Sequence, residues 1–154
     1  NSKSHTLTAE TMKKLAQGLK NIDAGLMITT SRRTGEDNQK ILKDALKNTN
    51  AYIWDGKGKN PYFGLLAWAD YILVTADSAS MLSEAATTGK PVYMIPMEGG
   101  SDRLNRFHEN LKTTKAIRVF EGKLESWSYK PLNDAQKVAD AIRQHLNKQD
   151  KSTI

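Results

Sequence analysis

The chain has 154 residues, a formal charge of +6 and no cysteine. That length suits one domain with a real core, and the lack of thiols excludes disulfides and thiolate metal sites while fitting a reducing, cytoplasmic setting. No apolar run reaches bilayer length, no signal-peptide profile opens the chain, and His5, His108 and His145 show no zinc-ligand spacing.

Apolar runs and helical patterns alternate along the sequence. Residues 8–22 are predicted as a helix, with Met12, Leu15, Ala16, Leu19 and Ile22 on one face. A strand-like run at 26–30 leads into the loop Ser31-Arg32-Arg33-Thr34-Gly35, and helical spacing returns over 37–47. A short strand at 51–54 precedes the loop 55–60, after which Pro61 is placed to open a helix ending near Asp70. Residues 71–75 read as a buried strand, 80–88 as a short helix closed by Gly89, and 92–95 as the next strand. The loop 98–101 introduces a helix over 102–114. A strand at 116–120 and a helix over 133–146, capped at Asn133 or Asp134, complete the pattern.

This alternation predicts an α/β fold: a Rossmann-like parallel sheet with helices on both faces, spanning residues 1–146 and followed by a polar tail at 147–154. The opening Asn1-Ser2-Lys3-Ser4-His5 has loop composition and runs straight into a helix. A βα fold expects a strand before that loop, so the chain reads as a piece of a longer two-domain protein whose first strand is missing.

Ligands of open parallel sheets bind beyond the carboxyl ends of the strands. Three polar loops fall there: Asn1-Ser2-Lys3-Ser4, Ser31-Arg32-Arg33-Thr34 and Asp77-Ser78-Ala79-Ser80. Two of them open helices, whose free N–H groups and positive dipole ends favour anions. A basic chain also favours anionic partners. Taken singly, Ser78 or Ser80 is a helix cap, and Arg32 and Arg33 are solvated charges. Glu84 lies one turn into a small-residue helix, where a carboxylate can accept from vicinal ribose hydroxyls. Its plainer use is to complement the helix dipole. Nucleic-acid binding rests on the charge alone and lacks a stacking motif.

The run from Asp77 through Glu84 to Gly89-Lys90-Pro91 resembles the nucleotide-binding signature in the C-terminal domain of GT-B glycosyltransferases, among them the lipid II-forming N-acetylglucosaminyltransferase. Five stretches together resemble the mitochondrial-fission "elongated mitochondria" family: Ser31–Thr34, Trp54-Asp55-Gly56, Asn60-Pro61-Tyr62-Phe63-Gly64, Thr75–Ser78 and Trp127-Ser128-Tyr129. The similarity covers essentially the whole chain. It implies that Glu84 holds a ribose and that the Ser78–Ser80 turn meets a diphosphate. It further implies a second phosphate loop at Asn1–Ser4, and Trp54-Asp55 beside the base. Where the glycosyltransferases carry amides that read the donor sugar, this chain offers Asn105, flanked by Arg103 and Arg106.

The resemblance therefore implies a domain that binds a nucleoside diphosphate or nucleotide sugar, with no cofactor or metal and no catalytic residue of its own. The general base would come from the missing N-terminal domain. The alternative is a non-enzymatic scaffold that recruits a protein partner. Self-association and peripheral membrane contact stay open as further interactions. Trp68 falls on the apolar face of its helix and is expected in the core. Trp127 is expected to pin its loop onto the domain.

Overall fold

The computed structural model describes residues 4–133, 136, 138–143 and 145. In chain order the elements are β1 (His5–Thr6), α1 (Ala9–Lys20), β2 (Leu26–Ile28), α2 (Glu36–Leu46), β3 (Ala51–Ile53), α3 (Tyr62–Trp68), β4 (Ile72–Thr75), α4 (Ala79–Thr87), β5 (Val92–Ile95), β6 (Glu98–Gly99), α5 (Asp102–Thr113) and β7 (Ile117–Val119). A single 3-10 turn, Arg32–Thr34, lies between β2 and α2.

Local chemistry explains most boundaries. The Thr8 hydroxyl accepts from the Thr11 amide and starts α1, and Ser101 does the same for α5 through Leu104. α4 stops at Thr88 because Gly89 turns left-handed at φ 74°. Pro61 precedes α3 as the sequence suggests.

The long-range pairing is α/β in character. β2 and β3 pair in parallel, with Leu26, Met27 and Ile28 opposite Ala51, Tyr52 and Ile53. β4, β5 and β7 form a second parallel group in that order. The antiparallel β1–β6 pair is a departure from the sequence reading, which placed loops at both segments. It forms because Gly99, at φ 93°, lets the backbone of residue 4 come close; a Cβ there would collide with the Ser4 carbonyl oxygen. The Ser4 carbonyl accepts from the Gly100 amide at 2.7 Å.

Side-chain alternation along the strands feeds two cores. On one face Leu7, Met12, Ala16, Leu19, Leu42 and Leu46 pack with Tyr93 and Ile95. On the other, Ile72, Val74, Leu82, Ala85, Val92, Met94 and Ile117 pack together. β5 is buried at every position, as a strand covered on both faces must be.

The two tryptophan expectations divide. Trp127 stacks edge-on against Tyr93 at 5.1 Å, and its Nε1 donates to the Lys115 carbonyl at 2.8 Å. It pins its loop as expected. Trp68, expected in the core, is 84 % exposed. α3 instead packs through Leu66, next to Ala69 at its end. Periodicity identified an apolar face, but the surface that would cover Trp68 is absent among the described residues. Residues 138–143 are helical, as expected for the closing helix. Its Asp134 cap and the 147–154 tail lie outside the described residues.

Candidate functional site

The strand β4 ends at Thr75, and the turn Ala76-Asp77-Ser78 delivers the chain into α4. Ser78 is buried, and its Oγ accepts from the Met81 amide at 3.4 Å. It is thus the helix cap, with its side chain already committed. Ala79 opens the helix half-buried, and Ser80 is exposed on its first turn. Asp77 accepts from the Thr75 hydroxyl at 2.7 Å. Burial pushes the Asp77 carboxyl up, but that hydrogen bond and nearby positive charge, Arg33 included, bring it below the ordinary carboxylate value. The turn after β4 and the basic loop after β2 therefore share one electrostatic neighbourhood.

That basic loop is itself ordered. Ser31 caps the 3-10 turn, accepting from the Arg33 amide at 3.2 Å, while Thr34 accepts from the Ser31 amide at 3.2 Å. Arg32 and Arg33 are exposed on the turn.

Glu84 is exposed on the second turn of α4, too far from the N-terminus for the dipole to explain it. Its Oε2 accepts from the Tyr62 hydroxyl at 2.5 Å. Burial first, then Glu84, pushes the Tyr62 phenol well above its ordinary value. Tyr62 has no role in the sequence reading beyond its place in the Asn60–Gly64 motif. The signal was that motif's Pro61, which fixes where α3 begins and so which residue faces α4.

Trp54 and Asp55 fold their loop back on itself. Trp54 Nε1 donates to the Lys57 carbonyl at 2.8 Å, and Asp55 accepts from the Lys57 amide at 2.9 Å. The loop follows β3, and residues 55–60 are exposed.

At the start of α1, Ser4 is part-buried with its Oγ 3.1 Å from His5 Nδ1. Asn1, Ser2 and Lys3 lie outside the described residues. The Glu98 carboxylate reaches this helix end, accepting from the hydroxyls of Thr8 at 2.5 Å and Thr11 at 3.3 Å. Here an acidic side chain of the protein already stands where a helix start favours negative charge. Arg103, Asn105 and Arg106 are exposed on the first turns of α5, and the Asn105 amide lies over Gly100.

Beneath these loops lie two buried histidines, His5 and His108, with ring centroids 6.3 Å apart. The sequence reading treated them as scattered. Among the described residues no cluster of His, Asp and Glu is suited to a metal ion, and no helix is long and apolar enough to cross a membrane.

These features define an α/β, Rossmann-like domain with polar loops at the carboxyl ends of parallel strands. The chain belongs to the family described as Mitochondrial fission ELM1, which matches residues 1–146. It is 40 % identical over 145 residues to the mitochondrial fission protein ELM1 of Arabidopsis thaliana, covering 90 % of this chain and 34 % of that one. It is 44 % identical over 126 residues to an uncharacterized protein of Rickettsia prowazekii (strain Madrid E), covering 75 % of this chain and 35 % of the relative. The chain thus spans about a third of the length of these relatives. No solved structure gives a significant match.

Proposed function

We propose that this domain binds a nucleoside diphosphate, free or as part of a nucleotide sugar, at the carboxyl edge of its parallel strands. The observation that carries this reading is the α4 entry. A small turn opens the helix with Ser80 exposed, Arg33 acts on the same turn, and Glu84 stands exposed one turn further in. In this reading the diphosphate rests on the amides at the start of α4, and Arg32 and Arg33 fork onto its oxygens. Glu84 takes the ribose hydroxyls, with Tyr62 holding the carboxylate in position. Arg103, Asn105 and Arg106 reach whatever the terminal phosphate carries. In this reading the domain binds, and none of its residues is assigned to transfer chemistry.

The test is a titration of uridine and guanosine diphosphates against wild type and Glu84→Ala. Charge-assisted hydrogen bonds contribute about 1.5–3 kcal/mol each. Affinity should therefore fall by at least about tenfold, the factor for 1.4 kcal/mol. Equal binding by both proteins would remove Glu84 from the site. If wild type binds neither nucleotide at millimolar concentration, a scaffold that recruits a protein partner becomes the better reading of this domain.

A further inference from the structure

Among the described residues one buried side-chain polar atom has no hydrogen-bond partner, Nε2 of His108. The side chain is only 5 % exposed. Buried polar groups are almost always paired, so an orphan of this kind needs a cause. Phe107 and His5 flank the ring, and neither supplies a partner for Nε2.

His108 lies at the candidate site. Its ring makes a hydrogen bond with the backbone of Ala76, the residue that follows β4 and leads through Asp77 and Ser78 into α4. His5 faces it edge-on, held in β1 by pairing with Gly99. Asn105 precedes it by one turn on the same face of α5, with its amide over Gly100. Four segments thus meet around this ring: β1, the α4 entry, the loop at Gly99 and Gly100, and α5.

The Ala76 contact also fixes the tautomer. The Ala76 amide already donates to the Ile95 carbonyl at 3.0 Å, so the Ala76 group that meets His108 is its carbonyl, an acceptor. His108 must donate to it, and with Nε2 unpartnered the donor is Nδ1–H. Burial holds the imidazole below its ordinary value, so the ring is neutral near pH 7. Nε2 is then a lone pair, which takes a hydrogen-bond donor and nothing else.

We propose that His108 is the residue by which the site tells an esterified terminal phosphate from a free one. This inference rests on the nucleoside diphosphate reading above. Nε2 accepts from a hydroxyl or amide N–H of the group joined to that phosphate. The ionised oxygens of a free terminal phosphate are acceptors and offer Nε2 nothing. Asn105 is the exposed side chain on the way from the sheet edge to the ring, and it turns aside as the group enters. Burial sharpens the discrimination, because with bulk water excluded a ligand that lacks the donor leaves Nε2 orphaned.

The experiment titrates wild type, His108→Asn and His108→Gln with uridine and guanosine diphosphates, each free and as its glucose ester. Asn keeps an N–H for Ala76 in the place of Nδ1–H and has no atom at the position of Nε2. The longer Gln sets an amide oxygen near that position. Wild type should prefer the esters, His108→Asn should lose that preference by about tenfold, and His108→Gln should restore part of it. Nitrogen-15 resonances of the imidazole give a second test on wild type alone, independent of whether the variants fold. Nδ1 should carry the proton, and Nε2 should shift further with the esters than with the free diphosphates. An Nε2–H tautomer would overturn the assignment, as would an Nε2 signal unmoved by bound ester, the result of a permanently held water. Equal affinity for free diphosphates and esters in all three proteins would overturn it too, and would leave the nucleoside diphosphate reading standing. Binding of none of the four ligands at millimolar concentration would overturn both.

Discussion

The Tyr62 hydroxyl donates to Glu84 Oε2 at 2.5 Å, joining the first turn of α3 to the second turn of α4. Burial first, and then this carboxylate, raise the Tyr62 phenol well above its ordinary value near 10. The protonated phenol is the folded form, so this contribution to stability is present below pH 10 and is lost as the pH rises toward the folded value. Glu84→Ala should make one of the five tyrosines ionise at lower pH in a spectrophotometric titration. The shift should be partial, because burial remains. An unchanged titration curve would mean the pair does not persist in solution. Tyr62→Phe should cost about 0.5–1.5 kcal/mol, the net worth of an ordinary hydrogen bond.

Lys90 closes the other end of α3. Its Nζ donates to the carbonyls of Leu66 at 2.9 Å and Ala67 at 2.6 Å, which the short helix leaves without intrahelical partners. A cation at a helix C-terminus also complements the dipole. Lys90→Met keeps most of the aliphatic stem and removes both donors. It should destabilise the domain by about 1.5–3 kcal/mol in urea denaturation, the range for hydrogen bonds from a charged group. A change under about 0.5 kcal/mol would class it with ordinary surface substitutions.

The positions of caps, stops and strands were legible because their causes are local. Ser78, Ser101, Pro61 and Gly89 each act within a few residues of themselves. The Tyr62–Glu84 bond joins residues 22 apart in sequence, and no spacing rule reaches that far. The β1–β6 pair is two residues long and depends on Gly99 meeting the backbone of Ser4, so its strands carry no period to detect. Glu98 read as part of a glycine loop, whereas the fold sets it against Thr8 and Thr11. Hydrophobic spacing showed that Trp68 lies on an apolar face, but spacing alone does not say what covers such a face.

Trp68 and Trp127 make a paired test of that distinction. Trp127 stacks on Tyr93, donates to Lys115, and lies under the Arg118 guanidinium at 4.3 Å. Arg118 is further held by Glu125 at 2.8 Å. Trp127→Ala should cost about 2–3 kcal/mol, somewhat less than a fully buried Trp. Trp68→Ala should change the stability of this chain by no more than about 0.5 kcal/mol. Acrylamide should quench Trp68 more strongly than Trp127, measured in the two single-tryptophan backgrounds. Equal quenching would contradict the exposed placement of Trp68.

His108 gives the domain a dependence on pH that the sequence did not suggest. Its side chain is buried, its Nε2 has no hydrogen-bond partner, and Phe107 and His5 flank the ring at 5.8 and 6.3 Å. Burial is the largest influence and holds the imidazole below its ordinary value, with His5 and Lys112 acting in the same direction. A hydrogen bond to the Ala76 backbone and the charge of Glu109 oppose them without reversing the result. The folded protein therefore keeps His108 neutral at a pH where the unfolded chain has begun to take up a proton. Stability from this source is fully present above about pH 6.5, the unfolded value, and is lost as the pH falls through the lower folded value. Denaturation midpoints should drop as the pH falls below about 6.5. His108→Gln fills much of the same space without titrating there, so its stability should be lower at neutral pH but flatter across this range. A variant as pH-sensitive as wild type would move the effect to another group.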